Sequence, residues 1–269
     1  MGRKRRRSNV RWDLIGLGVL SICTAGIVSA AILQGPEPAP VNAAPIAPVV
    51  QTEAPAKAPA APLTAEQIRA LIASGEPVTI SVLGDSTGDA EDEWVSLWAD
   101  HLAVAHTVRY FLWNDTTQSY PTEPRVKGNG PMLTIWNGSR AGSTPKYAAD
   151  RYGVIQPQKP GIIIYNYGHN NKDAGAVDEL KALSAKVAAR YGTTPSVITL
   201  QNPAQGTRTA QTENSVNVLR AYAAGSGLPV IDVYTAMTDL PPRDILKDEV
   251  HPNPQGSQVW ADTVIATLG

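Results

Sequence analysis

The sequence predicts an α/β domain, a parallel sheet with helices on both faces. Two observations carry the prediction. Short apolar runs alternate along the chain with segments whose apolar residues recur at helical spacing, the pattern of repeated strand–helix units. The runs Gly161–Tyr165 and Val197–Leu200 are apolar nearly throughout, as strands covered on both faces must be. At 269 residues, 43% hydrophobic and 17% charged, the chain is long enough for one sizeable core and too apolar for a disordered protein.

The formal net charge of −1 conceals a split. Arg3, Lys4, Arg5, Arg6, Arg7 and Arg11 against Asp13 give residues 1–13 a balance of +5, whereas the chain from Leu63 onward carries −5. An acidic body argues against nucleic acid as a partner, because phosphate binding needs a basic footprint. Leu14–Leu33 is a run of twenty residues without charge, long enough as a helix to span the roughly 30 Å of a bilayer core. The preceding cations keep that end cytoplasmic and send the remainder across the membrane. Val28-Ser29-Ala30 before Ala31 resembles a small-residue cleavage site. The run is nevertheless longer than a signal-peptide core of about 7–15 residues, which favours an uncleaved anchor. Residues 1–33 are therefore read as a basic N-terminus with a transmembrane anchor or signal peptide. The rest then lies outside the cytoplasm, anchored to the membrane by one hydrophobic helix or secreted.

Residues 34–62 hold eight prolines in 29 residues and few groups able to form a core, so they read as a disordered, extended linker. Residues 63–269 remain for the folded domain. The single cysteine, Cys23, excludes an internal disulfide framework and cysteine-pair zinc sites, and four histidines make a histidine cage unpromising.

Within the domain, Thr64-Ala65-Glu66-Gln67 has the form of a capping box opening a short helix with Ile68, Leu71 and Ile72 inward. Strands are expected at Val78–Leu83, Val108–Trp113, Leu133–Trp136, Gly161–Tyr165, Val197–Leu200 and Leu228–Val233. Val177, Leu180, Leu183, Val187 and Tyr191 form one helical stripe, closed by Gly192; Val216, Leu219 and Tyr222 form the next, closed by Gly225. Asn253 caps a last helix with Pro254 at its first position and Trp260, Val264 and Leu268 inward. Ligands of such sheets bind at the carboxyl ends of the strands, so the chemistry is expected there.

The first strand runs into Leu83-Gly84-Asp85-Ser86-Thr87-Gly88. A serine at a tight strand-to-helix turn exposes its hydroxyl, and its backbone N–H faces the cleft, which suits both a nucleophile and an oxyanion donor. Gly84-x-Ser86-x-Gly88 also satisfies the nucleophile-elbow pattern of α/β-hydrolases. Position argues against that fold: Ser86 follows the first strand, and the acid and histidine candidates are adjacent rather than on separate loops. Those candidates are Asp248 and His251, in Asp248-Glu249-Val250-His251-Pro252-Asn253. Histidine is a general base suited to neutral pH, and a carboxylate fixes its tautomer and stabilises its cation. Oxyanion donors are available after two further strands, in Asn137-Gly138-Ser139-Arg140-Ala141-Gly142-Ser143-Thr144 and in Asn166-Tyr167-Gly168-His169-Asn170-Asn171. Each segment taken singly is also ordinary turn chemistry.

Together, Ser86, Gly142, Asn170 and His251 in this order after strand ends resemble the four blocks of the SGNH hydrolases, also called GDSL esterases and lipases. The resemblance covers the domain from about Val78 onward. It implies a three-layer α/β/α sandwich with a flavodoxin-like parallel sheet, with Ser86 as nucleophile and Asp248 and His251 completing the triad. The Ser86 and Gly142 backbone N–H groups and the Asn170 amide would form the oxyanion hole. Asn171 departs from the usual aspartate of the third block, and His169 fills a variable position, read as a hydrogen-bonded loop histidine.

The expected activity is that of a serine esterase acting outside the cytoplasm through an acyl-enzyme, with no metal and no cofactor. Its partner is an ester substrate, with short acyl groups on a carbohydrate, a cell-envelope component or a small molecule. An O-acyltransferase using the same residues and a catalytically silent surface module are the alternatives. Asp89, Glu91, Asp92 and Glu93 after the nucleophile are read as first-turn residues complementing a helix dipole. Trp94, Trp98, Trp113 and Trp136 are read as core residues or, for one of them, a sugar platform.

Overall fold

The computed structural model describes residues 61–171 and 175–269, and over them a seven-stranded sheet carries helices on both faces. Helix α1 (Ala65–Ile72) leads into β1 (Val78–Gly84), and α2 (Trp94–Leu102) leads into β2 (Thr107–Leu112) and β3 (Arg125–Lys127). Strand β4 (Met132–Asn137) precedes two short helices, α3 (Pro145–Asp150) and α4 (Tyr152–Ile155). Then β5 (Ile162–Asn166), α5 (Gly175–Tyr191), β6 (Ser196–Leu200), α6 (Thr209–Ser226) and β7 (Val230–Asp232) alternate. Helices α7 (Val233–Thr238), α8 (Pro242–Ile245) and α9 (Pro254–Leu268) complete the chain. The expected membrane helix and nearly all of the linker lie outside the described residues. Among the described residues, no helix is long and apolar enough to cross a membrane.

The sheet order is β3-β2-β4-β1-β5-β6-β7, parallel except for the antiparallel β2–β3 pair. Strands β4-β1-β5-β6-β7 reproduce the flavodoxin-like order, and β2 and β3 extend it beyond β4. From β1 the chain lays down β2, β3 and β4 on one side and then crosses to β5 on the other. That reversal leaves a crevice at the carboxyl ends flanking β1. The register aligns those ends: Val82 lies opposite Asn137, and Gly84 opposite Asn166.

Side-chain alternation along the strands feeds two cores. Ile80, Val82, Ile162 and Ile164 pack with Ile68, Trp94, Trp98, Trp260 and Val264 beneath α1, α2 and α9. Leu83, Ile163, Tyr165 and Ile198 pack with Leu180, Leu183, Val187, Val216 and Leu219 beneath α5 and α6. Burial on both faces explains why β5 reads as a continuous apolar run. Trp94 and Trp260, both fully buried, stack with centroids 5.8 Å apart and planes 3° from parallel, joining α2 to α9. Trp98, Trp113 and Trp136 are buried as well, so none of the four candidate tryptophans presents an open platform.

Most expected elements are present, with particular corrections. The capping box forms, Thr64 Oγ1 accepting from Gln67 N and Thr64 N donating to Gln67 Oε1. Gly192 comes directly after α5 with φ 77° as expected, but α6 continues past Gly225 and is capped by Gly227 at φ 69°. The run Leu228–Val233 yields only the three-residue β7, because Asp232 Oδ1 accepts from Thr235 N and opens α7. Strand β3 pairs along β2 through Arg125–Lys127, a segment without hydrophobic alternation to announce it.

Candidate active site

Gly84 ends β1 where no side chain fits: a Cβ there would lie 2.7 Å from Ser139 Oγ and 3.0 Å from Asn166 Cβ. Its carbonyl accepts from Arg140 N at 3.1 Å and Ser143 Oγ at 2.8 Å, and Asp85 N donates to Asn166 O at 3.1 Å. The turn after β1 is thus clamped by the turns after β4 and β5. From it Ser86, half-buried, brings Oγ to 2.8 Å from His251 Nε2.

His251 Nδ1 lies 2.7 Å from Asp248 Oδ2, while Asp248 Oδ1 accepts from the backbone N–H groups of Val250 and His251 at 2.9 and 2.8 Å. The three-residue spacing therefore closes a turn in which the carboxylate orients the histidine by both ring and backbone. A carboxylate at Nδ1 places the ring proton there and leaves Nε2 to accept from the Ser86 hydroxyl. Partial burial pushes the Asp248 carboxyl upward, but the two N–H groups and the imidazole outweigh it and hold the pKa down to about 2. The loop is anchored on both sides. Lys247 N donates to His251 O at 2.9 Å, Asn253 N donates to Ile245 O at 2.9 Å, and Asn253 Oδ1 caps α9 at Gly256 N, 3.0 Å away.

The oxyanion candidates converge from the other strand ends. Gly142 occupies the turn after β4 with φ 69°, a left-handed backbone suited to glycine, and is exposed. Asn170, after β5, donates from Nδ2 to Ser143 O at 3.1 Å. One N–H of the amide is thereby fixed, which orients the other. The structure thus joins Ser86, His251 and Asp248 in one hydrogen-bonded chain, and joins Asn170 to the turn bearing Gly142.

Asn171 donates to Glu179 Oε2 at 3.3 Å, so helix α5 brings a carboxylate beside the position where aspartate is usual. The acidic residues after Ser86 depart from expectation. Helix α2 begins only at Trp94, so Asp89, Glu91 and Asp92 belong to the preceding turns rather than to a helical first turn. Glu93, buried, accepts from Ala90 N at 3.1 Å and faces Lys247 Nζ at 3.6 Å. Burial raises the pKa of both Asp89 and Glu93.

Sequence reasoning missed a buried polar bed behind these loops. Thr87 N and Oγ1 lie 3.2 and 2.9 Å from Asp85 Oδ1, Asn166 Nδ2 donates to Thr87 Oγ1 at 3.0 Å, and Gln201 Nε2 donates to Asn166 Oδ1 at 3.2 Å. Burial pushes Asp85 up to about 7 against these hydrogen bonds from Thr87. A second bridge joins the loops after β5 and β6 to the histidine loop. Asn202 Nδ2 donates to Val250 O at 3.0 Å, so its Oδ1 accepts from His169 Nε2 at 3.1 Å, while Thr212 Oγ1 stands 3.1 Å from His169 Nδ1. Burial lowers His169 to about 4 despite the Asn202 contact, and the Arg208 charge adds to the lowering. The available signal was positional, with Asn166 and Gln201-Asn202 directly ending apolar strand runs.

The family model described as GDSL-like Lipase/Acylhydrolase family matches residues 82–259, more than half of the chain. No curated protein matches the sequence. Among solved structures, the chain is similar to LAE5, an alpha/beta hydrolase enzyme from the metagenome of Lake Arreo, Spain. The TM-score is 0.53 at 16% identity, over 71% of this chain and 95% of that one. It is also similar to a two-domain esterase, CEX, active on acetylated mannans, with TM-score 0.55 and 16% identity over 76% of this chain and 51% of that one. A catalytic mutant of Axe2, an acetylxylan esterase from Geobacillus stearothermophilus, matches with TM-score 0.52 and 12% identity over 71% and 94%. At these identities the structural likenesses show the fold. With the family model spanning β1 to α9, the chain belongs to the GDSL-like lipase/acylhydrolase family of SGNH hydrolases and is a serine hydrolase of ester bonds.

Proposed function

We propose that this esterase works outside the cytoplasm, through an acyl-enzyme on Ser86, and removes short acyl groups from an acylated carbohydrate. The observation that carries the mechanism is the chain Ser86 Oγ, His251 Nε2 and Nδ1, Asp248 Oδ2, with contacts of 2.8 and 2.7 Å. His251 takes the Ser86 proton as Oγ bonds to the ester carbonyl carbon, and Asp248 stabilises the imidazolium that forms. The tetrahedral oxyanion is received by the Ser86 and Gly142 backbone N–H groups and the Asn170 amide. The bond from carbon to the alcohol oxygen then breaks as His251 returns the proton to that oxygen. Water, deprotonated by His251, attacks the acyl-enzyme and releases the acid and free Ser86.

Location rests on the cationic residues 1–13 before the uncharged run Leu14–Leu33, an arrangement that sends the chain beyond Leu33 across the membrane. A carbohydrate substrate is supported by two proteins of the same fold, one active on acetylated mannans and one an acetylxylan esterase. In the full chain, Ser86→Ala should lower hydrolysis of p-nitrophenyl acetate by at least about 10³-fold, and fluorophosphonate labelling of the wild type should fall on Ser86. Undiminished turnover or labelling elsewhere would overturn the mechanism.

A further inference from the structure

A groove of about 670 Å³ opens at the carboxyl end of β2, walled by Glu91, Trp113, Asn114, Asp115, Tyr120 and Pro121. Its volume falls in the range of small-molecule sites. It shares the edge of the sheet that carries Ser86. Leu112 pairs with Asn137 and Trp113 N donates to Asn137 O at 2.9 Å, while β4 alone separates β2 from β1. Two strand spacings put the groove about 10 Å from the nucleophile turn. Arg140 links the two. Asp115 pairs with Arg140 Nε at 3.1 Å, and Arg140 N holds Gly84 O at 3.1 Å, two residues before Ser86 and two before Gly142 on its own side. Glu91, five residues after Ser86, also lines the groove.

We propose that this groove receives the sugar rings of the alcohol part of the substrate, beyond the ring that bears the ester. The inference rests on the reading of Ser86 as nucleophile and of an acylated carbohydrate as substrate. The lining is two-sided in the manner a carbohydrate requires. Tyr120, partly exposed, packs edge-on at 5.1 Å against the buried Trp113 and is fixed by its hydroxyl to Ile155 O at 2.9 Å, so its ring offers a rigid apolar surface for sugar C–H groups. The exposed carboxylate of Glu91 and the amide of Asn114 line the same groove. Asn114 Oδ1 is held by Thr117 N at 3.0 Å, and its two N–H donors meet no protein acceptor among the described residues. Carboxylate and amide donors match ring hydroxyls, which both donate and accept. A long acyl chain in the same place would desolvate Glu91 and Asn114 without partners. For a cation, half of the acidity is already offset, because Arg140 pairs with Asp115.

The test uses the full chain, with acetylated xylotriose and ethyl acetate as substrates and Glu91→Gln and Asn114→Asp as variants. The aspartate keeps the acceptor for Thr117 N and removes the amide donors. The ratio of kcat/KM for the saccharide to that for ethyl acetate should fall about tenfold in each variant, through KM for the saccharide, with melting temperatures held. A ratio that stays within about twofold in both variants overturns the groove assignment while leaving the esterase reading intact. A wild type that hydrolyses ethyl acetate but no acetylated saccharide overturns the carbohydrate reading instead. Preference for acetylcholine over the saccharide, abolished by Glu91→Gln, would make the groove a cation site and overturn the proposal.

Discussion

His169 Nε2 and Asn202 Oδ1 meet at 3.1 Å in a buried contact that ties the loop carrying Asn170 to the loop carrying His251. Asn202 offers an acceptor to the ring because its Nδ2 is committed to Val250 O, and a neutral His169 satisfies it. Burial, acting against the Asn202 contact, holds this imidazole uncharged, with a pKa lowered from 6.5 to about 4.

The pH dependence of stability has a definite sign. Between those two values the unfolded chain binds the extra proton, so the contribution of His169 to stability is present above about pH 6.5 and lost as pH falls toward 4. The full span is on the order of 3 kcal/mol. His169→Gln should keep a donor for Asn202 and gain stability relative to wild type as pH falls from about 6.5 to about 4, measured as the difference in urea midpoint across the window. A slope equal to that of the wild type would assign the acid sensitivity to other groups.

Asp85 acts in the opposite direction. Its folded pKa is raised from 3.8 to about 7, so the folded chain binds the extra proton, and its contribution is lost as pH rises through that window. Asp85→Asn should therefore gain stability relative to wild type steadily from about pH 4 to about pH 7. A difference in unfolding midpoint that is constant with pH would exclude the buried carboxyl as its source.

Asn170 is fixed on Ser143 O with one N–H to spare for a developing oxyanion. Asn170→Ala should lower kcat about 10²- to 10³-fold with little change in KM. A loss confined to KM would move Asn170 from stabilising the transition state to holding the ground-state substrate.

Trp260 stacks on Trp94 beneath the sheet, within the helix that anchors the histidine loop. Trp260→Ala should cost about 3–5 kcal/mol in urea unfolding. A cost under about 1 kcal/mol would mean that the surrounding helices close the gap.

Local relationships are the ones legible in the sequence. Asp248 and His251 can be paired on paper because one turn carries both, and Asn253-Pro254 announces α9 because a cap acts within three residues. The apolar runs of β5 and β6 mark strands covered on both faces, and through them the edge where the site lies. The turn after Ser86 misleads because acidic residues before Trp94 look like a helix start, whereas Gly88 and Trp94 pack together there. A Cβ on Gly88 would lie 3.1 Å from Trp94 Nε1. Asn166 and Gln201, or His169 and Asn202, meet through strand order, and no spacing rule along the chain connects them.

The extension of the sheet beyond β4 gives the enzyme a division of labour across its central strand. On the proposed reading, proton transfer is handled by segments anchored on the β5–β7 flank and α9, while recognition of the departing alcohol falls to the β2–β3 hairpin on the other. Sequence change between Asn114 and Pro121 can then alter which esters reach Ser86 without disturbing the turn that unites Asp248 with His251. Such a hairpin is a place where relatives built on one catalytic plan would diverge in diet.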